Sequence, residues 1–110
     1  AWPAHFDSGV GSEQGKTRAG LVISATALND TLPVVNILPI TSRKPGRRVY
    51  PNEALLPAGT AGLTSDSLVL SYQVRTLDKQ RLTRIYGKLN SAVLQEEIIA
   101  ALCFQLGIVR

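Results

Sequence analysis

The feature that most constrains this fold is a change in hydrophobic period near residue 90. Before that point the chain contains short, β-branched apolar runs separated by turn residues, a pattern typical of β-strands. These runs span residues 18–27, 33–42, 49–56, 67–76 and 83–89. We expect the third run to be a weak strand because Pro51 interrupts it. Pro39 should mark an edge position or a bulge, because proline cannot donate to a sheet ladder.

After residue 90 the apolar residues recur at helical spacing, from Leu94 to Leu106. Asn90 or Ser91 can cap the start of this helix, and Gly107 suits the position just past its end. A chain of 110 residues has the length of a single domain. The sequence therefore predicts one domain over residues 1–110, of the α+β class and mostly β. We expect a small, half-open antiparallel barrel with a C-terminal helix packed on it.

The segments between the runs contain residues that favour turns and loops. Residues 43–48, "RKPGRR", place a Pro-Gly pair between two basic pairs, which indicates a turn. Residues 57–66 are predicted to be a loop, and residues 77–82 to make one helical turn.

Residues 9–17, "GVGSEQGKT", end like a phosphate-binding P-loop. That motif requires glycine at position 10, which is Val10 here, and a helix directly after the lysine and threonine. The residues that follow, from Arg18 onward, are predicted to form a strand instead. We therefore expect a mobile glycine-rich loop that binds neither ATP nor Mg²⁺.

Composition narrows the chemistry that this chain can perform. Twelve Lys and Arg residues against eight Asp and Glu residues give a net charge of +4, which favours a polyanionic partner or simply a solvated basic face. A single cysteine allows neither an intrachain disulfide nor a cysteine-based zinc site, and we expect Cys103 to be a buried, inert thiol. The single histidine and the absence of ligand motifs predict no metal centre.

Three places could act on an anionic group. Arg18 stands where the glycine-rich segment meets an apolar run, and residues 41–43 (Thr-Ser-Arg) end another run. Gln73 and Arg75 would share one face of a strand, because alternate residues do. Arginine can fork two hydrogen bonds onto a phosphate, and hydroxyls add donors. Arginines at strand ends are also commonly solvated or salt-bridged, so the pattern leaves both interpretations open.

The order of several segments resembles one known family. "VGSEQGKTR", "ILPITS", "LPAGTAGLTSDSLVL", "QVRTLDKQRL" and "ALCFQLGI" together look like the MazF/PemK toxins of bacterial toxin–antitoxin pairs. The resemblance implies an SH3-like barrel with a C-terminal helix and a homodimer. It also implies a metal-independent, cofactor-free endoribonuclease that cleaves single-stranded RNA at specific sequences. In such enzymes the ribose 2′-OH attacks the adjacent phosphorus and leaves 2′,3′-cyclic phosphate and 5′-OH ends.

The resemblance also implies roles for individual residues. Arg18 matches the catalytic arginine of the family and would stabilise the charged phosphorane and assist proton transfer, while Thr41 matches the catalytic threonine and would donate to a phosphate oxygen. The family usually has proline after this arginine, whereas this chain has Ala19, which leaves Arg18 more freedom. The positions implied to bind RNA or support the site are Lys16, Ser42, Arg43, Lys44, Gln73 and Arg75.

The partners implied by the resemblance are mRNA and a cognate antitoxin whose acidic, largely disordered tail covers the basic groove. We expect a cytoplasmic protein, because the single cysteine fits a reducing compartment. No apolar stretch reaches the roughly 20 residues of a membrane span. Two alternatives stay open. One is a CcdB-like toxin that binds DNA gyrase without catalysis, although the chain ends "LGIVR" rather than in the Trp-Gly-Ile sequence which that activity needs. The other is an inactive relative that only binds antitoxin or RNA.

Overall fold

The fold is given by a computed structural model that describes residues 8–13 and 19–110. Within these residues the elements are, in chain order, β1 (Gly9–Glu13), β2 (Ala19–Val22), α1 (Thr26–Asn29), β3 (Val34–Ser42), β4 (Glu53–Leu56), β5 (Ser67–Leu70), β6 (Arg75–Asp78), β7 (Leu82–Lys88) and α2 (Ala92–Leu106). Short 3₁₀ turns lie at Thr60–Gly62, Ser71–Gln73 and Lys79–Arg81.

The strands form one antiparallel sheet in the order β4-β5-β3-β2-β1-β7, and β6 also pairs with β3. The long strand β3 pairs with β2 on one side, and with β6 and then β5 on the other. Strands β4 and β7 end this order, and the part of the chain that the structure describes contains no pairing between them. The sheet is therefore open, and the predicted α+β, mostly β class is confirmed.

The core fills the space between the sheet and α2. Ile98 of α2 and Leu89 just before the helix are buried, and they pack against buried side chains of the strands, namely Val10, Leu21, Leu38, Ile40, Ala54, Leu56 and Val69. The helix lies against β4 and the Ser71–Gln73 turn. A second, smaller cluster joins β2, β3 and β6 through Val22, Val35, Ile37 and Leu77. Burial of these apolar side chains is the main term that holds α2 on the sheet.

Both predicted ends of the C-terminal helix are confirmed. The Ser91 hydroxyl accepts a hydrogen bond from the backbone N–H of Leu94 at 3.2 Å, which satisfies one of the free donors of the first turn. Gly107 takes a left-handed conformation with φ 70°, and ends the helix. Cys103 is a buried free thiol, as predicted. Leu106 is exposed, so the apolar spacing extends beyond the face that the helix buries.

Strand β1 corrects the prediction that all of residues 9–17 form a loop. Gly9–Glu13 pairs with both β2 and β7, while residues 14–17 lie outside the described part of the chain. A Cβ atom on Gly11 would collide with the carbonyl oxygen of Arg84 on β7. Glycine is needed there because the two backbones approach closely, and this tertiary pairing outweighs the low strand propensity of glycine.

The run predicted as a strand over residues 18–27 ends early. Its strand β2 stops at Val22, and Thr26–Asn29 turns into the short helix α1. Ser24 and Asn29 are the cause: the Asn29 side-chain amide donates to the Ser24 carbonyl at 3.1 Å, and the Ser24 hydroxyl accepts from the Asn36 N–H at 3.1 Å. The first bond is local, and the second gives an N–H of β3 to a side chain in place of a ladder carbonyl, so both compete with the sheet ladder.

The run predicted as one strand over residues 67–76 is two strands. Between β5 and β6 the chain makes the Ser71–Gln73 turn, where the N–H of Ser71 donates to the carbonyl of Asn52 at 3.2 Å and the N–H of Val74 donates to Ser71 at 3.3 Å. The prediction that Gln73 and Arg75 share one strand face is therefore wrong. Gln73 lies in the turn, and Arg75 begins β6.

Pro39 lies inside the sheet rather than at an edge or a bulge. The carbonyl of Asn36 accepts from the N–H of Ile23 at 2.9 Å, so even-numbered residues of β3 direct their backbone groups toward β2. Pro39 therefore faces the other side, between Ile37, where pairing with β6 ends, and Ile40, where pairing with β5 begins. Its missing N–H falls in this gap, and no ladder bond is lost.

Candidate functional site

A pocket of about 790 Å³ lies where the end of β3, the basic turn after it, the loop before β5, and β7 meet. We call it the β3–β7 pocket. Its lining residues are Ala19, Ile40, Thr41, Ser42, Arg43, Lys44, Pro45, Gly62, Leu63, Thr64, Ser65, Ser67, Arg84 and Tyr86.

Among the described residues, the charged side chains that line this pocket are all cations. They are Arg43, Lys44 and Arg84, and five serine or threonine side chains surround them. Guanidinium groups and hydroxyls are the donors that bind phosphate oxygens, and no carboxylate among the described lining residues competes with such a ligand. The pocket is therefore suited to an anionic, phosphate-bearing molecule.

Thr41 occupies a defined position on the floor of this pocket. The preceding residue, Ile40, is buried in the core, and the backbone of Thr41 is paired with Leu68 of β5. Thr41 itself is exposed, and within the described residues its hydroxyl makes no hydrogen bond. The strand thus fixes the backbone that carries this hydroxyl.

The loop before β5 forms a wall that is fixed to the end of β3. The hydroxyls of Ser42 and Ser65 lie 3.2 Å apart, and the hydroxyl of Ser67 donates to the carbonyl of Ser65 at 2.9 Å. The N–H of Arg43 donates to the carbonyl of Asp66 at 2.8 Å, and the Asp66 carboxylate accepts from the N–H of Ala58 at 2.8 Å. These bonds hold the wall without using the Thr41 hydroxyl.

The basic turn over residues 43–48 is held by a buried carboxylate. The guanidinium of Arg47 donates to both oxygens of Glu53, at 2.9 and 2.7 Å, and the N–H of Tyr50 donates to the same carboxylate at 3.0 Å. Hydrogen bonds from Arg47 lower the pKa of Glu53. The Nε of Arg43 donates to the carbonyl of Arg47 at 2.9 Å, which ties this pocket cation to the anchored turn.

The structure brings together Thr41, Ser42, Arg43 and Lys44, four of the residues that the sequence singled out. Lys16 and Arg18 lie outside the described residues, although Ala19, next in sequence to Arg18, lines the pocket.

Gln73 and Arg75 do not line the pocket. Arg75 pairs with Ile37, four positions before Thr41 on β3, or about 13 Å along a strand that rises about 3.3 Å per residue. Their proposed supporting role stays a prediction.

Arg84 and Tyr86 also line the pocket, but they are not among the residues predicted from the sequence. Their signal was present, because alternation in the run at 83–89 places both on one strand face. The sequence does not show that β7 lies beside the end of β3, because that arrangement depends on pairing between β7 and β1.

A second cavity, of about 740 Å³, lies between α2 and the segment that contains β4. Its lining is largely apolar and includes Leu55, Leu94 and Phe104, with the carboxylates of Glu53 and Glu97 at its margin. Across the described ranges, 8–13 and 19–110, no cluster of histidine, cysteine or acidic residues could hold a metal ion. In the same ranges no helix is long and apolar enough to cross a membrane.

The fold and the β3–β7 pocket together define a small, mostly β domain that can hold a phosphate-bearing ligand. Residues 2–106 match the family described as PemK-like, MazF-like toxin of type II toxin–antitoxin system. The chain belongs to this toxin family, and the resemblance found in the sequence is confirmed.

Individual relatives agree with this assignment. The chain is 32% identical over 100 residues to endoribonuclease MazF9 of Mycobacterium tuberculosis, a match that covers 86% of this chain and 83% of that protein. It is 39% identical over 74 residues to endoribonuclease EndoA of Bacillus subtilis, covering 67% and 63% respectively. An endoribonuclease from a mycobacterial species, solved in complex with its cognate antitoxin, has the same fold, with a TM-score of 0.79 at 22% identity and 99% of each chain covered. The CcdB-like alternative is not favoured.

Proposed function

We propose that this chain is the toxin of a toxin–antitoxin pair and a metal-independent endoribonuclease that cleaves single-stranded RNA at specific sequences. The observation that carries this proposal is the exposed Thr41 hydroxyl in a cationic pocket of a MazF/PemK family chain. The endoribonuclease names of MazF9 and EndoA support the same activity. Cleavage of mRNA would inhibit translation.

In the proposed reaction the ribose 2′-oxygen attacks the adjacent phosphorus, and the bond from phosphorus to the 5′-oxygen breaks. The 2′-OH loses its proton and the leaving 5′-oxygen gains one, so the products are a 2′,3′-cyclic phosphate and a 5′-OH end. Negative charge grows on the non-bridging oxygens in the transition state. Donors placed at those oxygens lower the barrier more than they stabilise the bound substrate.

Thr41 would donate a hydrogen bond to a non-bridging oxygen, and Arg18 would stabilise the same charge and assist proton transfer. Ser42, Arg43 and Lys44 line the pocket around Thr41 and would bind neighbouring phosphates. The roles proposed for the other residues follow the resemblance: Lys16 at the RNA backbone, and Gln73 and Arg75 in support of the groove.

The proposed partners are mRNA, a cognate antitoxin with an acidic segment, and a second copy of this chain, all in the cytoplasm. The net charge of +4 favours both polyanions, so RNA and antitoxin would compete for the β3–β7 pocket. Saturating antitoxin should therefore release a labelled RNA. Retention of the RNA on the toxin–antitoxin complex would contradict a shared surface.

The activity is tested on a long RNA in EDTA, with cleavage ends mapped by primer extension. Thr41→Ala should lower kcat by about 10²–10³-fold, the effect of removing one preorganised donor, and Arg18→Ala should abolish cleavage. Thr31→Ala is a matched control, because Thr31 follows α1, bonds only to local carbonyls and does not line the pocket. Undiminished cleavage by the Thr41 and Arg18 variants would reject the assignment of these residues.

A further inference from the structure

Arg84 and Tyr86 form a stacked pair at the side of the β3–β7 pocket. Both residues lie on β7 and line the pocket, and the guanidinium carbon of Arg84 lies 5.6 Å from the centre of the Tyr86 ring. Arg84 is exposed and Tyr86 is half-buried. A planar cation over an aromatic face therefore borders the same cavity as Thr41.

The Tyr86 side of this pair is held by close packing. Its ring packs against the main core cluster. The 3₁₀ turn at Thr60–Gly62 presses on its backbone, and a Cβ atom on Gly62 would lie 2.7 Å from the carbonyl oxygen of Tyr86. On the other side of the contact, a Cβ on Gly87 would lie 3.1 Å from the carbonyl of Ala61. A ring held in this way loses little conformational entropy when a ligand binds to it.

The lining of the pocket combines two kinds of chemistry. Thr41, Arg43 and Lys44 present phosphate donors, whereas Arg84 and Tyr86 present flat π-surfaces. Single-stranded RNA carries both complementary groups, because its unstacked bases stack on aromatic rings and guanidinium planes while its phosphates bind cations. A volume of about 790 Å³ lies in the range of about 300–1,000 Å³ that encloses small-molecule ligands, and so can admit a nucleotide.

We propose that Arg84 and Tyr86 form a stacking subsite for one nucleobase of the RNA, next to the phosphate bound at Thr41. The subsite rests on the proposed ribonuclease function and deepens it. One base is separated from the stack of its neighbours and held against the exposed Arg84 guanidinium, which lies over the Tyr86 ring. Every base can stack, so the subsite increases affinity and fixes the position of the RNA in the pocket. Other contacts must recognise which base is present.

The proposal is tested by RNA binding without cleavage. The probe is a fluorescent oligonucleotide that spans a mapped cleavage site, with a 2′-deoxy sugar at the attacking position so that it cannot react. Tyr86→Phe should keep wild-type affinity, because the stacking face is retained. Tyr86→Leu should weaken binding by about 5- to 100-fold, the effect of losing one stacked base. Phe104→Leu is the control, since Phe104 is an exposed aromatic that borders the other cavity.

Arg84→Lys separates stacking from simple charge. Lysine keeps the positive charge but lacks the guanidinium plane, so affinity should fall while the dependence of log K on log salt keeps its slope. Restored affinity in Arg84→Lys, relative to Arg84→Ala, would show a phosphate contact and overturn the stacking role of Arg84.

An abasic scan of the same oligonucleotide identifies the base. Removing the base at one position should weaken binding to the wild-type protein as much as Tyr86→Leu does. The same abasic oligonucleotide should bind Tyr86→Leu no more weakly than the intact oligonucleotide does. If the affinity lost through the abasic site and the affinity lost through Tyr86→Leu add at every position, the proposed subsite is wrong. Circular dichroism of each variant shows whether the fold is retained, and Tyr86→Phe and Arg84→Lys keep the test valid if Tyr86→Leu unfolds.

The same experiments separate this inference from the proposed function. If the wild-type protein does not cleave RNA, the ribonuclease function and the subsite both fail. If it cleaves and Tyr86→Leu binds and cleaves equally well, only the subsite fails. If Tyr86→Leu loses antitoxin binding but keeps RNA binding, the pair belongs to the antitoxin surface and the subsite is wrong.

Discussion

Substituting Gly62 by alanine should destabilise the fold through two separable effects. The residue has φ +82°, and a non-glycine residue in the left-handed region costs about 1–2 kcal/mol. The added Cβ would also lie 2.7 Å from the Tyr86 carbonyl oxygen and 3.0 Å from the Tyr86 Cβ, an overpacking that costs about 1–3 kcal/mol. Alanine also lowers the conformational entropy of the unfolded chain, which stabilises the fold by about 0.4–1 kcal/mol. The expected net loss is about 1–4.5 kcal/mol.

Gly59→Ala is the matched control for this substitution. Gly59 lies three residues earlier with φ +90°, and a Cβ there would meet nothing within 4 Å. It shares the backbone cost and lacks the clash, so the difference between the two variants isolates the contact with Tyr86. Urea unfolding followed by circular dichroism should give Gly62→Ala a stability lower than that of Gly59→Ala by about 1–3 kcal/mol, with an unchanged m-value. Equal stabilities would refute the close packing of this turn on β7.

The packing of Gly62 also predicts an effect on RNA. If the Thr60–Gly62 turn sets the position of Tyr86, Gly62→Ala should weaken binding of the uncleavable oligonucleotide under conditions where the variant is fully folded. Gly59→Ala should bind like wild type. Wild-type binding by both variants would show that Tyr86 keeps its place without this turn.

Three other changes test separate parts of the structure. Ile98→Ala removes a fully buried side chain that holds α2 on the sheet, and should cost about 2–5 kcal/mol in urea unfolding; a loss under about 1 kcal/mol would contradict this packing. Glu53→Gln tests the anchored basic turn by pH. The folded-state pKa of Glu53 is lowered, so its contribution to stability is present above the unfolded pKa of about 4.3 and is lost as pH falls through the folded value. Wild type should therefore lose more stability than Glu53→Gln between about pH 6 and pH 3, and parallel curves would contradict the prediction. Lys44→Ala should weaken RNA binding at low salt and reduce the salt slope by about 0.7, the value for one phosphate contact on a single strand; an unchanged slope would remove Lys44 from the interface.

Much of the local structure could be predicted from the chain itself. The helix over Ala92–Leu106 has an apolar spacing, a serine cap and a terminal glycine, which are local signals that act within a few residues. Strands β3 and β7 follow from their apolar runs in the same way. The family resemblance depends on the order of segments, which is also a property of the sequence alone.

The errors fell where distant contacts outweigh local preference. The sequence of Gly9–Glu13 resembles a loop, but the segment forms a strand because it pairs with both β2 and β7. Gly11 has no Cβ atom, which lets the backbone of β7 approach closely. The run at 67–76 resembles one strand, but it is divided so that β5 and β6 pair with different lengths of β3. Neither outcome has a signal within a short window of sequence.

The sequence by itself determined the class of the fold and the family, because hydrophobic period and motif order are encoded locally. It also singled out Thr41, Ser42, Arg43 and Lys44, which line the pocket. Only the tertiary structure decided which other side chains join them. Arg84 and Tyr86 lie at least forty positions further along the chain, and pairing of β7 with β1 brings them to the same pocket. A binding site is a set of distances between side chains, and strand pairing sets those distances where sequence separation does not.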